Sequence, residues 1–333
     1  MTRGIRSLLR VAALGIGVGS ARGAIAVDAP PIQLGPYHGD GTPVFIDALA
    51  ALPESRTLYA GGDDGLYRSV DGGGHWTMVL ADSLGVLAVA VNPDEPSTIY
   101  AGAFTGLFRS SNSGSDWTRI RTEETFALAT DGRGSLYVGT AGVEHGEHGL
   151  VLRTADHGES WEVLLDAGLY ERVTVLAVDS VSPANVYAGT GSFALFRTAD
   201  AGATWSIVSG IWVGTISSVS IHPGSDATLY AASHQEQGFP ENPFHCNVVK
   251  STDFGANWET LTDPMEDCSF SSVAIEPFGR HRILANVGFT LSISNDAGRT
   301  FSSITDTPIY AAAYAFDSTR PGHVYVGGVG VSD

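Results

Sequence analysis

Six residues able to do carboxylate or amide chemistry recur in one pattern. Asp71, Asn112, Asp156, Asp200, Asp253 and Asp296 each stand two positions after Ser or Thr, two before Gly and five before an aromatic residue. Carboxylates repeated this way could act in catalysis or bind calcium. They could equally satisfy the backbone N–H groups of their own turns, since a short Asp or Asn side chain folds back readily and Gly supplies a positive φ. The second reading is preferred, because six copies spread along the chain do not share one site. The aromatic that ends each copy is expected to bury its area against its own sheet.

A second repeat sets the elements that carry these turns. Leu58-Tyr59-Ala60-Gly61 returns in recognisable form at Ile99, Leu136, Val186, Leu229, Ile283 and Val324, at intervals of 37 to 54 residues. A recurrence at this spacing signals a repeat architecture. Each unit reads as four short strands, the first unit as 44–49, 58–61, 66–69 and 76–80, with Pro-, Gly- and Asp-rich turns between them. Four-stranded units at this period predict an all-β fold, a seven-bladed β-propeller of antiparallel blades. Segment 1–26 is set aside as a signal peptide, leaving 27–333 for the propeller. The last unit lacks the Asp-type turn, and 32–34 is expected to supply its outer strand and close the ring; the alternative is a truncated sequence whose natural C-terminus lies further on.

In such a blade the turns between strands two and three, and between consecutive blades, share one face. That face holds the longest loops, 140–149 and 233–245. Residues expected there to bind a ligand are Asp64, Phe104, Glu144, His145, Tyr170, Trp212, His234 and Glu236. Aromatic faces beside carboxylates suit a sugar ring or a protein segment; an ordinary acidic loop surface is the alternative. The run Glu144-His145-Gly146-Glu147-His148 lies in a Gly-containing loop and has no fixed ligand geometry, so no metal and no cofactor are expected. Cys246 and Cys268, the two cysteines, fall toward the same face and are expected to form a disulfide, with two buried thiols as the alternative. Arg68, Arg109, Arg153, Arg197 and Lys250 each precede an Asp-type turn. Their repetition favours pairing between blades, or a solvated strand face, over an anion site.

Charge and composition narrow the partners. The 333 residues hold 36 acidic and 18 basic side chains, for a net charge of −18. That excess argues against nucleic acid and anionic membranes. Lys250 is the only lysine and no Gly precedes it, which excludes a phosphate-binding P-loop. Arg3, Arg6 and Arg10, a short apolar stretch over 11–19 and Ala24-Ile25-Ala26 read as a cleavable leader. A secreted or periplasmic location follows, and a monomer without a membrane span is expected. Removing the leader leaves 14 basic residues against 36 acidic ones, a net charge of −22.

The Ser/Thr-x-Asp/Asn-x-Gly-x-x-Trp/Phe series resembles the Asp-box, or bacterial neuraminidase repeat, propellers. These include sialidases, sortilin-type receptors, xyloglucanases and photosystem II stability/assembly factors. The resemblance covers nearly all of the chain after the leader. It implies a structural role for the six Asp-type residues. Sialidases of this group carry a Phe-Arg-Ile-Pro motif; here Phe108-Arg109-Ser110 and Phe196-Arg197-Thr198 lack the Ile-Pro. Xyloglucanases of the group use two aspartates between two propellers. Asp63 resembles the first of these, and no second propeller follows to supply the other. The sequence therefore points to a non-catalytic exported propeller that binds a carbohydrate or a protein. The alternatives are a glycoside hydrolase using Asp63, and an assembly scaffold.

Overall fold

The computed structural model describes residues 13–16, 32–36 and 44–330, apart from 53, 143–146, 170, 192–193, 209–214, 226, 235–244, 263–264, 267–270, 278–280, 288–289, 305–308, 319 and 321. The regular elements among them are β-strands. They form a propeller of four-stranded antiparallel blades. No helix among the described residues is long and apolar enough to cross a membrane.

Six blades are each folded from four strands consecutive in sequence, spanning 46–81, 86–121, 125–169, 173–207, 215–260 and 271–303. Seven equivalent blades were expected, and six of that kind are present. Among the described residues after 303, the strands are a hairpin, Ile309–Phe316 with Val324–Gly330. The hairpin completes a sheet with two strands from the other end of the chain. Ala13–Ile16 pairs with Val324–Val326, and Ile32–Gly35 pairs with Ala13–Ile16 at the outer edge. The outer strand thus comes from the expected place, while the third is drawn from the segment read as a leader. The first strand of every blade packs beside the first strand of the next, and Ile309–Phe316 lies between Ser271–Ile275 and Ile46–Ala51.

The blades hold together through the seams between them. The Leu-Tyr-Ala-Gly repeat is the second strand, and each of its residues has a separate duty. Its Leu, Tyr and Ala are buried: Leu58, Tyr59 and Ala60 are at most 1% exposed. Its Gly lets the neighbouring first strand come close. A Cβ on Gly61 would lie 2.6 Å from the Val86 carbonyl oxygen, one on Gly139 2.7 Å from that of Val173, and one on Gly327 2.4 Å from Ile46 Cγ2. The fifth and sixth blades carry Ala232 and Asn286 at this position.

The six Asp-type turns share one hydrogen-bond scheme. In the first, Ser69 Oγ donates to Asp71 Oδ1 at 2.8 Å and accepts from Gly73 N at 2.8 Å, while His75 N donates to Asp71 Oδ1 at 2.9 Å. The same contacts recur around Asn112, Asp156, Asp200, Asp253 and Asp296. Hydrogen bonds to the ionised form hold the carboxyls of Asp200, Asp253 and Asp296 down at about 2. The turn Gly residues pack against the outer strand of the preceding blade; a Cβ on Gly202 would meet Leu164 at 2.8 Å, and one on Gly298 would meet Leu261 at 2.6 Å.

The terminal aromatics pack on their own blades, as expected, and also fill the seam with the preceding blade. Trp76 clusters with Ala60 and Tyr67 of its own blade, while Trp117 also packs with Tyr59 and Val79, Trp161 with Tyr100 and Ile120, and Trp258 with Tyr187 and Val208.

Replacing Gly139 with Val is expected to force the third and fourth blades apart at Val173 and destabilise the protein by about 1–3 kcal/mol. Thermal melts of the variant read this as a lowered Tm, whereas an unchanged Tm would show that the close approach is not a constraint.

Candidate functional site

The two faces of the ring differ in how much of their chemistry is already used. On the face of the Asp-type turns, the residue at each left-handed turn position offers its carbonyl to the preceding blade. Tyr59 Oη and Arg68 donate to Ser113 O at 3.1 and 2.7 Å, and Arg109 donates to His157 O at 2.9 Å. Tyr230 Oη and Lys250 Nζ both donate to Ala297 O, at 3.3 and 3.2 Å. Three of the five repeated cations therefore join blades. Arg153 lies over Tyr137 and donates to Ser135 Oγ, and Arg197 lies 4.5 Å from the Phe254 ring of the next blade.

The opposite face carries the long loops and the start of each first strand. There six of the seven first strands bulge at one equivalent position, which leaves Asp47, Leu87, Phe126, Thr174, Ser217 and Ala312 without a partner in the ladder. A bulge re-aims its extra side chain. Where that residue is a hydroxyl it bridges to the next first strand: Thr174 Oγ1 donates to Ile216 O at 3.3 Å and Ser217 Oγ to Ser271 O at 2.6 Å.

Asp47 occupies this position in the first blade. Burial, and then the charge of Asp63, push its carboxyl up to about 7. Asp63 is exposed on the following turn, its backbone N–H bonded to Phe45 O at 3.2 Å. Asp64 accepts from Tyr67 Oη at 2.8 Å, and its own carbonyl accepts from Asp82 N at 3.1 Å. Asp82 also accepts from Thr105 Oγ1 of the second blade. Asp64 and Asp82 thus serve the geometry of the first blade's outer edge and its contact with the second, while Asp47 lies within reach of the Asp63 charge.

Phe126 occupies the bulge in the third blade. Its ring meets Phe104 edge-on, with centroids 5.5 Å apart and planes at 85°. Arg172, exposed at the start of the fourth blade, sets its guanidinium 5.5 Å from the same ring. Three blades therefore contribute to one aromatic and cationic patch. Glu171, one residue before Arg172, has a buried Oε2 with no hydrogen-bond partner among the described residues, and its side chain lies by Gly149 and Gly168. On the same face His148 Nδ1 lies 2.6 Å from Asp166 Oδ1, both partly exposed.

Of the residues expected to bind a ligand, Asp64 and Phe104 are placed as described. Glu144, His145, Tyr170, Trp212 and Glu236 lie outside the described residues, as do the side chain of His234 and the proposed Cys246–Cys268 pair. Sequence reasoning missed Asp47, Phe126 and Arg172. Aligning the first strands on the Tyr-Ala-Gly repeat would have exposed the signal, because the bulge position alternates among Asp, Leu, Phe, Thr and Ser while its neighbours stay small or aliphatic. Among the described residues no group of three or more His, Cys, Asp or Glu is placed to hold a metal ion.

Comparison with known proteins agrees with the resemblance to Asp-box propellers. A family model described as Sortilin, neurotensin receptor 3 (Sortilin-Vps10) matches residues 149–286, the third to sixth blades. The fold is similar to the GH74 xyloglucanase from Xanthomonas campestris, with a TM-score of 0.69 at 19% identity, covering 86% of this chain and 51% of that one. An ancestral GH74 enzyme gives 0.64 at 18% identity, covering 80% of this chain and 39% of that one. YCF48 bound to D1 peptide gives 0.59 at 16% identity, covering 87% of this chain and 93% of that one. The chain thus spans about half or less of the two GH74 enzymes. No curated protein sequence matches it.

The charge state of Asp47 should be visible in stability. Below pH 3.8 both folded and unfolded chains carry the proton, so nothing is lost. As pH rises toward 7 the unfolded chain releases it and the folded one does not, and stability falls. Asp47→Asn is therefore expected to leave Tm unchanged near pH 4 and to raise stability at pH 8, on the order of 2–4 kcal/mol. Equal gains at both pH values would disprove the assignment.

Proposed function

We propose that this protein is an exported, non-catalytic propeller that binds an extended protein segment across its loop-rich face. The observation that carries the reading is the Phe104–Phe126–Arg172 patch, built from three consecutive blades. An apolar side chain of the ligand can rest on the two rings, and Arg172 can reach a carboxylate. Support also comes from size: the chain matches nearly the whole length of a single-propeller protein whose structure was solved with a peptide. Carbohydrate is the other ligand that suits aromatic faces beside acids. Export rests on the basic and apolar residues of segment 1–26.

Glycoside hydrolysis is a second reading, favoured by one observation. A protonated Asp47 beside an exposed Asp63 has the acid and base character that such chemistry needs.

Peptide and glycan arrays probed with the protein separate these readings. Phe126→Ala is expected to weaken peptide capture tenfold or more while leaving Tm within a few degrees. Release of reducing sugar from a polysaccharide, abolished by Asp63→Asn, would replace the binding-only reading with the hydrolase.

Processing at Ala26 would also remove Ala13–Ile16 from beside Val324–Val326 and leave that place to Ile32–Gly35. A chain beginning at residue 27 is expected to melt cooperatively, and one beginning at residue 37 at a clearly lower temperature. Equal melting of the two would mean that Ile32–Gly35 takes no part in closing the ring.

A further inference from the structure

On the face opposite the loops, each first strand ends in a turn closed in the same way. The last residue of the strand donates its N–H to a carbonyl just before the second strand: Asn92 to Thr98, Asp131 to Ser135, Asp179 to Asn185, His222 to Thr228 and Asp317 to His323. In four of these turns an Asn or Asp side-chain oxygen caps a backbone N–H two or three residues on. Asp94 N donates to Asn92 at 3.1 Å, Arg133 N to Asp131 at 2.8 Å, Val181 N to Asp179 at 2.8 Å and Arg320 N to Asp317 at 3.1 Å. In the fifth blade an imidazole does this work: Gly224 N donates to His222 Nδ1 at 3.0 Å.

A backbone N–H can only donate, so His222 Nδ1 must be unprotonated, and a neutral ring then carries its proton on Nε2. The ring lies 4.8 Å from that of His281, in the corresponding turn of the sixth blade. His281 has the opposite tautomer. Its Nδ1 faces Glu276 O at 3.2 Å, an atom that can only accept, which leaves Nε2 with a lone pair. His281 is held in this place by a backbone φ of 52°.

We propose that His222 is a proton-sensitive cap, and that the turn it closes beside His281 keeps its order only while that ring is neutral. Protonation turns the Nδ1 acceptor into a donor facing a donor and places a cation against a second imidazole. An Asp or Asn cap keeps its acceptor through the same pH range. Among the described residues, burial first, then His281 and then Lys250 on the third strand of the fifth blade lower the His222 pKa. Glu276 is engaged by Arg282 in a buried pair at 2.8 Å. Asp226 and Arg280, which belong to the two turns, lie outside the described residues. Asp253 lies on the turn tied to this loop by the Phe254 N–Ala227 O bond of 2.9 Å, and its carboxyl accepts from Ser251 and Asn257.

Because the folded-state pKa lies below the unfolded one, this contribution is intact above about pH 6.5 and is lost as pH falls. Hydrogen exchange of the full chain at pH 7.5 and pH 5.5, corrected for intrinsic rates, tests it. Protection over 222–229 and 276–283 is expected to fall several-fold at pH 5.5 in the parent protein and to stay constant in His222→Asn, which keeps an acceptor without a titratable ring. Unchanged protection in the parent, or an equal loss in His222→Asn, would overturn the proposal. Nitrogen-15 spectra of the histidine rings provide a readout that needs no variant: at pH 7.5 His222 should carry its proton on Nε2 and His281 on Nδ1, and a proton on His222 Nδ1 would be fatal.

Discussion

The ring depends on how closely neighbouring first and second strands approach at the seams. A blade of four short strands has two apolar faces and cannot cover either alone. In the first four blades the next blade sits against the second strand with no intervening Cβ, which is what Gly61, Gly102, Gly139 and Gly189 permit, while the fifth and sixth blades accommodate Ala232 and Asn286 there. Once that distance is set, the other seam contacts come within reach. The tyrosine one position earlier on the face spans to the carbonyl of the next Asp-type turn, and the aromatic of that turn reaches back into the preceding blade. The Asp-type residue holds the turn so that its carbonyl and its aromatic point in opposite useful directions.

Much of this was legible in the sequence, for a physical reason. Seams recur, so the residues they demand recur, and repetition makes Tyr-Ala-Gly and Ser-x-Asp-x-Gly visible without a structure. What does not recur was harder to read. The closing sheet was misjudged as an equivalent blade because its hairpin carries Val324-Tyr325-Val326-Gly327, a full seam strand, while its outer half has no repeat residues at all. The second contact of the turn aromatics, with the preceding blade, was not legible, since spacing along the chain does not say what a ring touches across a seam. The cations before the turns were read correctly as inter-blade links at Arg68, Arg109 and Lys250, where recurrence again carried the information.

The candidate site escaped for a related reason. Phe126 and Asp47 sit in strands whose other residues alternate as expected, and a bulge shifts them out of the alternation that pattern reading uses. Arg172 gave no signal because nothing in the sequence says that its guanidinium lies over an aromatic ring of the preceding blade. Phe104 was found because it stands in a loop between two clear strands, where a large aromatic has no seam to fill.

A division of labour follows from the backbone itself. Positions whose side chains build the seam are fixed in identity, while positions fixed only in geometry are free to change chemistry. The bulge is one such position: the same ladder irregularity presents a carboxyl in the first blade, a ring in the third and hydroxyls in the fourth and fifth, with the seam beneath it unchanged. The cap at the end of the first strand is another, since any acceptor at the right distance closes the turn, and an imidazole serves where carboxylates and an amide serve elsewhere. The hydrogen-bonding demand at the cap is met by Asp179 in one blade and by His222 in another, and the imidazole is the acceptor that a proton removes. Repeats of this kind can therefore acquire a binding patch at one end of the blade and proton sensitivity at the other without disturbing the contacts that hold the ring.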